Sequence, residues 1–173
     1  MANVVLIGMP GCGKSTVGVL LAKALGMAFM DTDVVLQARE GRKLQRMIDE
    51  IGIDAFLCRE EEAILGIDCD KTVIATGGSV VYGARAMAHL HAGGVVVYIR
   101  LPYSEIRRRL SNLATRGVTL RPGQTLHDLY QERIPLYEHE ADIVLDATDL
   151  AIEDTVAAIA RRIEALNGAE HDE

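Results

Sequence analysis

Eight residues near the N-terminus constrain this chain more than any others. Gly8-Met9-Pro10-Gly11-Cys12-Gly13-Lys14-Ser15 matches the pattern G-x-x-x-x-G-K-[S/T] in full. Glycines at these positions let the backbone curl until successive N–H groups point inward at phosphate oxygens. A helix that begins at the end of the loop adds the positive end of its dipole. Lys14 can reach the β- and γ-phosphates of a nucleotide, and the Ser15 hydroxyl is placed to ligate magnesium. Gly11, Cys12, Gly13, Lys14, Ser15 and Thr16 are therefore the expected ATP-binding residues. The motif stands between a short apolar run, Val4 to Ile7, and an amphipathic helix. A chance glycine-rich turn seldom has that setting.

The rest of the chain alternates in the same way. Strands are expected at Ala2 to Gly8, Met27 to Met30, Lys71 to Ala75, Gly94 to Ile99 and Asp142 to Leu145. Helices are expected from Lys14 to Leu25, from Gly83 to His91, from Pro102 to Leu110, from Thr125 to Glu138 and from Leu150 to Leu166. Residues from about Val34 to Ile64 read as helical with breaks near Gly41 and Gly52. Alternating strands and helices imply a parallel sheet covered on both faces, with right-handed crossovers. The expected architecture is α/β, a P-loop NTPase three-layer sandwich around five parallel strands. One domain over residues 1–173 suffices, with an acceptor-binding helical region at about 33–61 and a lid at about 112–124.

Composition narrows the partners. A net charge of −7 over 173 residues argues against a nucleic-acid surface, which needs a basic excess. No apolar run is long enough to span a bilayer or serve as a signal segment, so a cytoplasmic chain without membrane attachment is expected, acting as a monomer. Cys12, Cys58 and Cys69 are an odd number without metal-ligand spacing, which suits a reducing compartment. The acidic tail, residues 169–173, reads as a frayed end.

Other residues supply a possible acceptor side. Asp31-Thr32-Asp33 follows the second strand, and in a doubly wound sheet the carboxyl ends of strands face the ligand crevice. Asp31 can hold magnesium through water, and Asp33 can take or orient an acceptor hydroxyl. The plainer alternative is that Asp33 caps the next helix. Gly77, Gly78 and Ser79 end the third strand, where paired glycines suggest close approach of backbone to ligand. Arg116 and Arg121 fall in the glycine- and proline-containing lid segment and could neutralise charge on the moving phosphoryl group. Arg133 could clamp a carboxylate bidentately, or pair with a neighbouring glutamate on the surface.

In order along the chain, these pieces resemble the shikimate kinase family over nearly the whole length. The resemblance rests on the phosphate loop, Asp31-Thr32-Asp33, Phe56 with Arg59 and Glu60-Glu61, Ala75-Thr76-Gly77-Gly78, the lid, and Glu132-Arg133 leading to Pro135-Leu136-Tyr137. It implies a fold of the nucleoside-monophosphate-kinase type and ATP-dependent phosphorylation of shikimate to shikimate 3-phosphate in aromatic amino-acid biosynthesis. It further implies that Asp33 contacts the acceptor hydroxyls, that Asp31 supports magnesium and that Arg133 holds the acceptor carboxylate.

The chain departs from that family at Leu57, where an arginine is usual, and at Ser79, where a third glycine is usual. In the lid, Thr115-Arg116-Gly117-Val118 stands where Arg-Pro-Leu is expected, so Arg116 is read as the lid arginine with Arg121 in reserve. These departures leave open a kinase for another hydroxylated metabolite, gluconate or a similar hydroxy acid, or a nucleotide-binding module without kinase activity. A GTPase switch is excluded by the absence of an Asn-Lys-x-Asp motif.

Overall fold

The computed structural model describes residues 2–110 and 117–169. Arg116, the expected lid arginine, lies outside the described residues, as do residues 170–173 of the acidic tail. Five parallel strands form one sheet: β1 (Asn3–Ile7), β2 (Ala28–Asp31), β3 (Thr72–Ala75), β4 (Gly94–Arg100) and β5 (Ile143–Asp146), in the order β2-β3-β1-β4-β5. Every residue of β1 is buried, as its unbroken apolar run requires of a strand covered on both faces. Val5 pairs with Ile74 of β3 on one side and with Val96 of β4 on the other.

The helices are α1 (Lys14–Leu25), α2 (Thr32–Glu40), α3 (Leu44–Ile51), α4 (Ile53–Leu65), α5 (Ala84–Gly93), α6 (Tyr103–Leu110), α7 (Leu126–Glu140) and α8 (Ile152–Ala169). A 3₁₀ turn at Val80–Tyr82, not foreseen from the sequence, connects β3 to α5. Gly26 closes α1 in the left-handed conformation. Gly18 lets α1 lie against β2, because a Cβ there would stand 2.7 Å from the Phe29 ring. A capping box between Thr125 and Asp128 starts α7.

The apolar interior has two parts. The main core runs through the sheet and includes Leu6, Ile7, Leu21, Ile74, Val97 and Ile159. A second cluster, Leu36, Met47, Phe56 and Ala63, holds α2, α3 and α4 together, with Leu57 packed against it. Among the described residues, no helix is long and apolar enough to cross a membrane.

Two expectations about β2 need correction. The strand ends at Asp31, and Thr32 and Asp33 already belong to the first turn of α2. Asp31, not Asp33, caps that helix: its Oδ1 accepts from the backbone N–H of Asp33 at 3.0 Å and of Val34 at 3.4 Å. In addition β3 separates β2 from β1, so the two aspartates reach the phosphate loop across an intervening strand.

Candidate active site

The phosphate loop crosses from β1 to α1 with positive φ at Gly8, Gly11 and Gly13, conformations that L-residues with a Cβ rarely adopt. Its lysine is folded back on it. Lys14 Nζ donates to the carbonyls of Gly8 at 2.8 Å and Met9 at 3.0 Å, and stands 3.7 Å from Cys12 Sγ. Cys12 is buried and belongs to the main core, which makes it a packing residue of the loop rather than an accessible thiol. From α6, Arg109 donates to the carbonyl of Gly11 at 3.3 Å, and Glu105 holds Arg109 Nε at 2.8 Å.

Ser15 and Asp31 come together. Ser15 Oγ donates to Asp31 Oδ2 at 2.6 Å, which groups two hard oxygen ligands at the mouth of the loop. Among the described residues, no group of three or more His, Cys, Asp or Glu could hold a metal by itself. The donor set fits magnesium, which takes one or two protein oxygens and draws the remainder from phosphates and water.

The turn after β3 is anchored from three sides. Thr76 Oγ1 donates to Leu6 O at 2.8 Å, Gly77 N to Thr32 Oγ1 at 3.3 Å, and Tyr137 OH to Gly78 O at 2.5 Å. Here the paired glycines meet side chains. A Cβ on Gly77 would lie 2.5 Å from Glu60 Oε1 and 2.7 Å from Asp33 Oδ1, and one on Gly78 would lie 2.9 Å from an Arg133 Nη. Any side chain at either position would displace these groups.

Arg133 is 1% exposed, so it is not a surface salt bridge. Its guanidinium donates to Tyr82 OH at 3.3 Å and Thr119 Oγ1 at 2.5 Å, and lies 5.3 Å from the Tyr82 ring centre. Tyr82 in turn donates to Glu132. Burial, together with the neighbouring charge of Asp31, raises the Asp33 carboxyl to about 6, against the opposing pull of Lys14. Burial likewise raises Glu60 to about 7, although the Ser79 hydroxyl works against it.

One cleft of about 580 Å³ is lined by the phosphate loop from Pro10 to Thr16 and by Asp33, Glu60, Gly77, Gly78, Ser79 and Arg133. Its other end is bordered by Arg108, Arg109, Ala147, Leu150 and Ile152. Residues from 117 onward meet this part of the cleft: Thr119 lines it and touches Arg133, and Arg121 pairs with Asp54 of α4 at 2.8 Å. Arg121 is thus engaged with α4 rather than with the phosphate loop. The sequence motifs assign no role to Glu60, Tyr82, Arg109 or Thr119. A charge on an apolar helical stripe was the available signal: Phe56, Glu60, Ala63 and Ile64 share the buried face of α4.

A loop that cradles phosphates, opening into a second polar cleft, defines a P-loop kinase. Comparison with known proteins narrows the class. The sequence profile described as shikimate kinase matches residues 10–164, and the chain belongs to the shikimate kinase family. It is 36% identical over 170 residues to the shikimate kinase of Thermodesulfovibrio yellowstonii, covering 96% of this chain and 98% of that one. It is 34% identical over 170 residues to the enzyme of Thiobacillus denitrificans, covering 96% and 92%. Among solved structures, a shikimate kinase from Acinetobacter baumannii in complex with shikimate superposes with a TM-score of 0.88 at 29% identity, covering 95% of this chain and 94% of that one. Membership makes the chain an ATP-dependent phosphotransferase.

Proposed function

We propose that this enzyme transfers the γ-phosphoryl group of ATP to the 3-hydroxyl of shikimate, giving shikimate 3-phosphate and ADP. One observation carries the reading. Asp33 and Arg133 abut successive glycines, Gly77 and Gly78, in the cleft that begins at the phosphate loop. A carboxylate for a hydroxyl and a guanidinium for a carboxylate thus line the same cleft as the phosphate loop, as a hydroxy acid requires.

In this reading the ATP phosphates lie against the N–H groups of Gly11 to Thr16. Lys14 Nζ leaves the Gly8 and Met9 carbonyls for the β- and γ-phosphates. Ser15 and Asp31 would hold magnesium, which when bound would neutralise phosphate charge. Asp33 accepts the proton of the attacking hydroxyl, whose oxygen forms the new P–O bond as the bond to the ADP oxygen breaks. Arg133 fixes the carboxylate end so that the hydroxyl attacks in line. Gly77, Gly78 and Ser79 form the floor beneath the acceptor. Arg116 is proposed as the lid cation over the γ-phosphate, because Arg121 is held by Asp54.

A second reading has its own support. Leu57 packs against the second apolar cluster and is absent from the cleft lining, so α4 offers the acceptor no cation. A hydroxy acid held by Arg133 alone would suit such a cleft. An acceptor screen coupled to ADP release decides, with shikimate, gluconate, homoserine and nucleoside monophosphates side by side. Turnover with shikimate at least tenfold above the others is expected; a clear preference for another acceptor would replace the reading.

A further inference from the structure

Arg133 carries a buried charge that no carboxylate answers. It is 1% exposed, and among the described residues no ion pair reaches its guanidinium. Neutral groups hold it instead. Tyr82, the last residue of the 3₁₀ turn Val80–Tyr82, accepts the Nε–H through its hydroxyl at 3.3 Å. The ring of the same tyrosine lies under the guanidinium, 5.3 Å from its centre to Cζ. Thr119 Oγ1 accepts from Nη2 at 2.5 Å, and Tyr137, whose hydroxyl donates to Gly78 O, is a further neighbour. A guanidinium is rigid and planar, so contacts at Nε and Nη2 fix where Nη1 points. Nη1 stands 2.9 Å from where a Cβ on Gly78 would begin, and Gly78 and Arg133 both line the cleft.

The tyrosine hydroxyl is itself oriented. A phenol has one proton, and Glu132 accepts it, so the oxygen meets Arg133 with a lone pair. The second oxygen of Glu132 accepts from Gln124 Nε2 at 3.0 Å. Adjacent residues do not face each other on a helix, so Glu132 acts on Arg133 through Tyr82 rather than directly.

We infer that Tyr82 is a positioning residue for Arg133: its ring and its hydroxyl, the latter set by Glu132, aim the guanidinium at an anionic group of the acceptor. The long arginine side chain then loses its freedom before the acceptor arrives rather than on binding, which favours affinity. The inference rests on the kinase reading in which Arg133 holds the acceptor, and adds to it what sets that clamp.

Tyr82→Phe keeps the ring and removes the hydroxyl. The first readout, on the whole enzyme without acceptor, is the ¹⁵N–¹H resonance of Arg133 Nε, assigned with Arg133→Lys. Tyr82→Phe should shift it and speed its exchange with water about tenfold, because the N–H loses its partner. The second readout is steady-state kinetics with the acceptor that the screen identifies. Tyr82→Phe should raise the acceptor KM about tenfold, the loss of one hydrogen bond to a charged group, with kcat changed less than about twofold. The KM for ATP should not move. In an Arg133→Lys background the same change should raise the acceptor KM less than about twofold, because the group it positions is gone. A residue that merely packed would cost as much in both backgrounds.

An unmoved Nε resonance in Tyr82→Phe, or equal KM losses in the two backgrounds, overturns the proposal. Should Tyr82→Phe fail to fold, Glu132→Ala decides, since that residue is exposed. It must move the same resonance in the same direction, and an unmoved one refutes the inference. Failure of the underlying reading looks different: Arg133→Lys would then keep the wild-type acceptor KM, which removes the clamp and the proposal together, whatever the resonance shows.

Discussion

Ser15 and Asp31 are joined by a 2.6 Å hydrogen bond that ties the end of the phosphate loop to the end of β2, across the intervening strand β3. The same carboxylate uses its other oxygen to cap α2. Asparagine caps a helix about as well as aspartate, but it is a much weaker partner for metal-bound water. Asp31→Asn should therefore leave the melting temperature within a degree or two of wild type. The magnesium concentration for half-maximal rate should rise about tenfold or more. Initial rates against free magnesium, beside a thermal melt, check both parts.

Asp33 must be ionised to take a proton. Its carboxyl is raised to about 6, so kcat/KM should fall as pH drops through that value and level off above it. Asp33→Asn should abolish this acid limb and lower the rate by about 10²- to 10⁴-fold. A pH–rate profile that keeps the limb in the variant would remove Asp33 from the chemistry.

Lys14 has a structural bond to give up as well as a catalytic one. Lys14→Ala should reduce turnover by about 10²- to 10³-fold or more. It also strips a charged donor from the Gly8 and Met9 carbonyls, a loss of about 1–3 kcal/mol. Circular dichroism should show a native fold with a lowered melting point, and wild-type turnover in this variant would refute the assignment.

Glu60 makes the fold sensitive to pH in the opposite sense to a salt-bridged acid. Below pH 4.5, the reference value for the unfolded carboxyl, both states are protonated and the group costs nothing. As pH rises the unfolded chain ionises first, so stability falls until the folded carboxyl ionises near 7. Above that the cost levels off at about 3 kcal/mol. Asp33 acts in the same direction from 3.8 to about 6, which leaves about pH 6 to 7 as the window in which the loss belongs to Glu60. Denaturant titrations should show wild type losing stability across it while Glu60→Gln stays nearly flat; parallel curves would contradict the assignment.

The Arg121–Asp54 pair joins the lid segment to α4, yet its side chains are 54% and 83% exposed. Exposed pairs add little to stability and are screened by salt. Arg121→Ala should leave the denaturant midpoint at its wild-type value. Its effect should appear in acceptor KM and diminish in high salt. A drop in kcat equal to that of a lost phosphate contact would instead make Arg121 the lid cation.

Local chemistry made much of this legible. The limits of α1 follow from Lys14 and the Gly26 cap, and β1 from an apolar run that only a strand buried on both faces tolerates. The join of β2 and α2 was misread because Asp31 serves as both last strand residue and helix cap. Glu60 was hidden in the charge run Arg59 to Glu62, where only the helical period separates a buried acid from its exposed neighbours. Thr119 could not have been found, since its contact with Arg133 depends on how the lid folds back across fourteen residues.

The small core formed by Leu36, Met47, Phe56 and Ala63 packs α2, α3 and α4 on one another beside the main core, to which α4 contributes Ile64. Mutations that reshape what the enzyme accepts can accumulate there without loosening the nucleotide cradle.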